Sequence, residues 1–230
     1  MVYRGRAVEC PCCGRRFRAF KPVRGRPGAE CPGCGAYERH RVLALFLQNE
    51  LELGGAELDV LHFAAEPPLA RWFRALPNLR YVTADIEPEP GALAVDITAI
   101  TFADMSFDFV FCSHVLEHVP DDARALRELH RILRPGGRAV LQHPIDYARA
   151  TTYEDPSIDS PEARARAFGQ EDHVRIYGRD FAERVRSAGF SVVVEPYARE
   201  LGAAARSRHG LEMSAPGAYS GSDIYVCERA

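Results

Sequence analysis

No run of apolar residues in this chain approaches the roughly 20 that a helical membrane span needs, so spanning helices are excluded from the expectations. The first residues, MVYRGRAVEC, lack the apolar core of a secretory leader. The expectation is a soluble, cytoplasmic chain in a reducing compartment, where cysteines serve as thiols or metal ligands and not as disulfides. Internal repeats and low-complexity tracts are absent too. What is present is an ordinary globular composition, 47% hydrophobic and 27% charged over 230 residues. That length suits one α/β domain plus a small module.

Charge is unevenly placed. The formal net charge is −3, yet the first 41 residues carry ten cations (Arg4, Arg6, Arg15, Arg16, Arg18, Lys21, Arg24, Arg26, Arg39, Arg41) against Glu9, Glu30 and Glu38, or +7, leaving −10 for the rest. A basic module on an acidic body suits an anionic partner such as RNA or a sugar phosphate, or is a solvated surface beside a metal site.

The metal site is legible from spacing. Cys10-Pro-Cys-Cys13 and Cys31-Pro-Gly-Cys34 are two C-x-x-C turns separated by a spacer whose Gly25, Pro27 and Gly28 suit a turn between short strands. Two such turns supply the four thiolates of a closed, structural Zn²⁺ site. A segment this short and this poor in apolar side chains needs the metal to fold. Cys12 breaks the spacing and is expected to be a non-ligand. The predicted zinc ribbon covers residues 1–38, followed by an α/β domain over 39–230 whose first part, 39–55, is a linking helix with apolar positions from Val42 to Leu51 and a stop at Gly54-Gly55.

Short apolar runs then alternate with amphipathic segments. Strands are predicted at Leu58 to Phe63, Tyr81 to Ala84, Leu93 to Val95, Phe107 to Cys112, Arg138 to Gln142, Phe190 to Val194 and Ile224 to Cys227. Helices are predicted around Leu69 to Ala75, Asp122 to Leu133 and Asp180 to Ala188. This alternation implies a doubly wound, mostly parallel, seven-stranded sheet with helices on both faces. Ligands of such sheets bind beyond the carboxyl ends of the strands. Asp85 stands at one such end, where an acid accepts the ribose hydroxyls of a nucleoside. Asp96-Ile97 follows the next strand, suited to an adenine amino group and to covering its ring. Residues 144–178 and 198–222 lack clear periodicity, and the first of these is expected to be a lid enclosing an acceptor. Cys112 and Cys227 read as small core residues.

Ser106 to Pro120, the amphipathic stretch Arg124 to Leu133 and Arg134-Pro-Gly-Gly137 resemble the fourth strand, following helix and fifth-strand entry of class I S-adenosylmethionine (SAM)-dependent methyltransferases. With the ribbon, Tyr153 to Pro156 and Phe168 to Tyr177, the chain is similar to a bacterial, methyltransferase type 11-like subgroup carrying an N-terminal zinc ribbon. The resemblance implies a Rossmann-like methyltransferase fold, SAM as cofactor, and a cofactor site built from Phe63, Ala64, Glu66, Asp85, Ile86, Asp96, Ile97, Ser113 and His114. His143, Asp146, His173 and Tyr177 are the catalytic candidates on or beside the lid, histidine being poised to take a proton from an attacking hydroxyl or amine.

One motif departs from the family. The glycine-rich turn after the first strand is replaced by Val60-Leu-His-Phe-Ala-Ala-Glu-Pro-Pro68. Ala64 is tolerable there at negative φ, whereas Pro67 and Pro68 forbid a glycine-type turn. Glu66 either meets the cofactor's ammonium group or caps the helix opened by the prolines. His114 and His118 lie four apart, a spacing suited to metal, but the sequence offers no evident third ligand. The leading functional expectation is methyl transfer from SAM to an oxygen or nitrogen of a small-molecule or glycan-like acceptor. The alternatives are an RNA methyltransferase using the basic ribbon, a non-methylating SAM enzyme, and a non-catalytic binding protein.

Overall fold

The structure, a computed structural model, describes residues 2–23, 25–51, 53, 55–211 and 223–230. Packing divides the chain into two compact units, one gathering 1–57, 65–79 and 196–216, the other 58–64, 80–195 and 217–230. Among the described residues no helix is long and apolar enough to cross a membrane.

The first unit begins with two small antiparallel ladders, β1 (Val8–Glu9) with β2 (Arg16–Phe17), and β3 (Lys21–Val23) with β4 (Arg26–Glu30). Each C-x-x-C sits in the same turn. Cys10 N donates to Arg15 O and Gly14 N to Cys10 O, while Cys31 N donates to Ala36 O and Gly35 N to Cys31 O. The glycine after each second cysteine is left-handed, with φ of 66° at Gly14 and 77° at Gly35, a conformation that costs other residues about 1–2 kcal/mol. The unit continues with α1 (Glu38–Asn49), which buries Val42 to Leu47, and also contains α2 (Pro67–Arg74).

In the second unit the sheet strands are β5 (Leu58–Phe63), β6 (Leu79–Asp85), β7 (Leu93–Ala94), β8 (Phe107–Ser113), β9 (Leu133–Gln142), β12 (Phe190–Glu195) and β13 (Ile224–Arg229), ordered β12-β13-β9-β8-β5-β6-β7. β5, β8 and β9 run parallel, as do β6 and β7, while β13 is antiparallel to both β9 and β12. The central strands are nearly continuous apolar runs because helices cover both faces of such a sheet. Val60, Leu61, Val110, Phe111, Val140 and Leu141 are wholly buried, and so is Cys227, with Cys112 nearly so. Between β8 and β9 lies α3 (Asp122–Ile132). Asp121 is its N-cap, accepting from Arg124 N at 2.8 Å, and Leu126 and Leu129 form its buried stripe with Leu133 just beyond.

Four local expectations are corrected. The helix expected to reach Leu53 ends at Asn49, because Leu51 and Leu53 are buried without continuing it: their apolar spacing records burial and not helicity. Gly54, its expected stop, lies outside the described residues. β9 begins at Leu133, directly after α3, with Arg134 to Gly137 bulged out between the pairs Leu133–Phe107 and Arg138–Phe109. The aperiodic stretch 144–178 contains β10 (Tyr153–Glu154), α4 (Pro161–Phe168) and β11 (Arg175–Ile176), with β10 and β11 paired antiparallel. These elements are too short to print a period. After them comes α5 (Phe181–Ser187). The other aperiodic stretch holds most of α6 (Tyr197–Glu200) and all of α7 (Ala203–His209), both in the first unit, and its 212–222 lie outside the described residues.

Candidate functional site

The parallel strands of the second unit end on one edge. Phe63 pairs with Cys112 and Ser113 with Gln142, so the residues following β5, β8 and β9 stand side by side. Ala64 N donates to Ala84 O and His114 N to Gln142 O, stitching neighbouring strand ends together. Backbone strain concentrates here. Ala64 has φ of +48° and His114 of +55°, so the negative φ at which alanine is tolerated without cost is not the one Ala64 adopts. Left-handed non-glycine residues cost on the order of 1–3 kcal/mol and gather at functional sites.

Asp85, at the end of β6, is partly buried, with one carboxylate oxygen 3.2 Å from Glu87 N. Ile86 beside it is 72% exposed, an unusual place for a large apolar side chain. Asp96 accepts from the backbone and hydroxyl of Thr98, which holds its carboxyl below the ordinary range. Ile97 is buried in the core, as is Phe63. His62 is buried with Nδ1 2.7 Å from the Tyr81 hydroxyl and its ring edge-on to Phe111.

At the ends of β8 and β9 lies a group of buried polar atoms without hydrogen-bond partners among the described residues: Ser113 Oγ, His114 Nε2, Glu117 Oε2, both amide atoms of Gln142, and His143 Nε2. Buried polar groups are otherwise nearly always paired, because leaving one unpaired costs about 1–3 kcal/mol. Glu117, on the 3₁₀ turn Leu116–His118, is only 2% exposed. Burial pushes its carboxyl up, but the bond with His114 Nδ1, 3.1 Å from Oε1, and the nearby His143 and His114 rings together offset this and leave it lowered. Neither Glu117 nor Gln142 is among the residues expected from the sequence to act. The available signal was an acid flanked by His114 and His118.

The four catalytic candidates are not equivalent. His143 is enclosed by the rings of Tyr177, Phe181 and Tyr225, and burial pushes it down to about 3, so it is neutral at ordinary pH. Tyr177 is wholly buried and its hydroxyl donates to Asp122 Oδ2 at 2.8 Å. Asp146 accepts from Ala148 N and pairs with Arg149. His173 is buried against His118, with ring centroids 4.7 Å apart. The segment 144–178, which carries all of these but His143, is pinned by Arg175, which donates to the carbonyls of Leu116, Val119 and Pro120 and pairs with Glu154.

In the first unit the Sγ atoms of Cys10, Cys13, Cys31 and Cys34 all lie within 4.8 Å of one another, with Cys10 to Cys34 at 3.7 Å and Cys13 to Cys31 at 3.8 Å. Four sulfurs about 2.3 Å from one ion in a tetrahedron would be about 3.8 Å apart. The cluster therefore has the size of a four-thiolate metal site. Cys12 lies outside it and donates to His40 O. Glu66 occupies the N-cap position of α2, but its side chain makes no capping bond. Its Oε1 instead meets Arg39 and lies 2.7 Å from His40 Nε2. Because His40 Nδ1 accepts from Tyr37 N, a neutral His40 carries its proton on Nε2, facing Glu66. Burial opposes the Glu66 charge, but His40 and Arg39 hold its carboxyl down to about 2. Half of the ten N-terminal cations are also spent internally: Arg16, Lys21, Arg26 and Arg39 pair with acids, and Arg41 is buried.

A mostly parallel sheet with one reversed strand between β9 and β12 defines the class of fold: the chain has the Rossmann-like fold of SAM-dependent methyltransferases. Residues 69–141 match the family model described as "Methyltransferase domain". A demethylmenaquinone methyltransferase of Mycobacterium sp. (strain KMS) is 33% identical over 114 residues, covering 44% of this chain and 50% of that protein. The chain thus spans about half the length of the curated relatives it matches first. Among solved structures, an S-adenosylmethionine-dependent methyltransferase from Mesorhizobium loti superposes with a TM-score of 0.56 at 19% identity, over 82% of this chain and 98% of that one. The cyclase SpnF gives 0.57 at 16%, over 87% and 86%.

Proposed function

We propose that this chain transfers a methyl group from SAM to an oxygen or nitrogen of a small-molecule acceptor. The observation that carries the reading is the set of unpaired buried polar atoms from Ser113 to His143 at the strand-end edge of a methyltransferase fold. SAM, when bound, supplies an activated methyl group on a sulfonium. Asp85 offers a carboxylate to the ribose hydroxyls, the exposed Ile86 gives an apolar cover, and Asp96 suits the adenine amino group. Ser113 and Gln142 supply hydrogen bonds that orient the reactants, and positioning alone accounts for much of the acceleration in such transfers. Glu117 Oε1 meets His114 Nδ1 and orients the ring, which leaves the unpaired Nε2 as the atom to take the acceptor's proton. His143, kept neutral by burial, is a weak base and serves as a hydrogen-bonding wall.

The name of the demethylmenaquinone relatives supports a small acceptor over a macromolecule. We assign the four-cysteine cluster to a structural Zn²⁺, because it is closed and its sulfur separations match tetrahedral coordination. Calorimetric titration of the zinc-loaded whole chain with SAM and with its demethylated product tests the reading. Binding of both is expected, and binding of neither removes it.

A further inference from the structure

The spacing of His114 and His118 suits a metal, but the sequence offers no third ligand. The structure gathers a different set, in which His118 is joined by Glu117 and by a histidine from a distant part of the chain, while His114 stays outside. Val174 N donates to Glu117 O at 3.0 Å, and this bond draws the preceding residue, His173, beside the 3₁₀ turn. Glu117, His118 and His173 then present a carboxylate oxygen and two imidazole nitrogens within 4.8 Å of one another. We propose that these three side chains form a second metal site, for a divalent transition-metal ion held by two histidines and one carboxylate.

Three independent features make this more than a coincidence of residue types. Glu117 is almost wholly buried, and its Oε2 has no hydrogen-bond partner among the described residues. A buried carboxylate otherwise pairs with a cation or coordinates a metal. Each histidine has one ring nitrogen engaged in the way metal-ligating histidines are oriented. Asp172 Oδ2 lies 3.2 Å from His118 Nδ1, and the backbone carbonyl of Phe168 is bonded to the His173 ring. That arrangement leaves one ring nitrogen of each histidine to face the ion. Finally, His114 fixes the other oxygen of Glu117, so the carboxylate is held in place before any ion arrives.

The donor set decides the kind of ion. Two imidazoles and one carboxylate favour first-row divalent ions such as Zn²⁺, Fe²⁺, Co²⁺ and, more weakly, Mn²⁺ over Ca²⁺, which takes oxygen ligands alone. Three protein ligands leave coordination positions open, unlike the closed cysteine cluster. An acceptor oxygen can take such a position, where the ion would orient it and lower the pKa of its hydroxyl. That last use rests on the proposed methyl transfer; the binding of the ion does not.

Full-length chain holding one zinc per chain, in its cysteine cluster, is titrated with Mn²⁺ and separately with Co²⁺ in the absence of SAM. Electron paramagnetic resonance of free Mn²⁺ and the visible spectrum of bound Co²⁺ report uptake. One ion per chain is expected, with a cobalt spectrum lacking thiolate charge-transfer bands. His118→Gln and His173→Gln are each expected to weaken uptake at least about tenfold and Asp172→Asn to weaken it by about tenfold, with zinc content and thermal unfolding retained. Uptake of neither ion at millimolar concentration overturns the proposal, as does uptake unchanged in a folded H118Q/H173Q double variant. Mn²⁺ or Co²⁺ uptake by a chain that fails to bind SAM would sink the methyl-transfer reading and leave the metal site standing.

Discussion

The guanidinium carbon of Arg41 lies 4.0 Å from the centroid of the Phe20 ring, and all five of its N–H groups meet backbone carbonyls. Those carbonyls belong to Gly28, Ala29, Ala36, His209 and Gly210, so one buried side chain ties the ribbon and the end of α7 together. Lysine has three donors and no planar fork. Arg41→Lys should therefore leave at least two carbonyls unpaired and cost about 2–5 kcal/mol, read as a lowered midpoint in denaturant. An unchanged midpoint would show that water reaches the site.

The cysteines should divide four to one. Cys31→Ser should lose most of the bound zinc and loosen the first unit, seen as faster proteolysis. Cys12→Ser should keep the metal, because Cys12 bonds His40 O and stands outside the cluster. Equal zinc loss in both variants would make Cys12 a ligand.

Ala64 holds φ of +48°, a conformation glycine adopts without cost. Ala64→Gly should relieve up to about 1 kcal/mol of strain, partly offset by the greater freedom of glycine in the unfolded chain. Thermal unfolding at equal or higher temperature is the expected result. A clear loss of stability would mean that the Ala64 methyl packs usefully.

His143 gives the acid limb of stability a definite sign. In the native state burial lowers it from the ordinary 6.5 to about 3. Between those values the unfolded chain takes up a proton that the native chain refuses. Stability from this group is therefore complete above pH 6.5 and is lost as pH falls towards 3, at up to about 1.4 kcal/mol per pH unit. Denaturant midpoints measured across that window should flatten in His143→Phe. Glu66 adds its own loss lower down, as pH falls from 4.5 towards 2. A slope unchanged by the substitution would show that another group carries it.

Gln142 tests the unpaired edge directly. Gln142→Leu removes two unpaired buried polar atoms at similar volume, so the fold should be as stable or more stable. Binding of acceptor or SAM should weaken by about tenfold or more, the worth of one good hydrogen bond. Weaker binding together with an unfolded chain would not count as support; the stability measurement separates the two.

The periodicity of the central strands was readable because burial on both faces demands continuous apolar side chains, and β5 runs over the six residues expected. The segment 144–178 was not, since its elements are held by remote partners: Arg175 bonds the carbonyls after β8, and Tyr177 bonds Asp122. Neither interaction leaves a local pattern. From sequence either Asp121 or Asp122 suits the cap of α3; in the structure Asp121 caps and Asp122 anchors Arg184 and Tyr177.

By itself the sequence determined the four-cysteine cluster, the alternation of strand and helix, and the acids at the strand ends, because ligand spacing, side-chain period and strand termini are local properties. Tertiary structure alone decided that Ala64 and His114 would be left-handed, that His143 and Tyr177 would be buried, and that His173 would stand beside Glu117 and His118. Those outcomes depend on which distant segments close on one another, and loop closure is decided by the sum of the packing and not by any one stretch of residues.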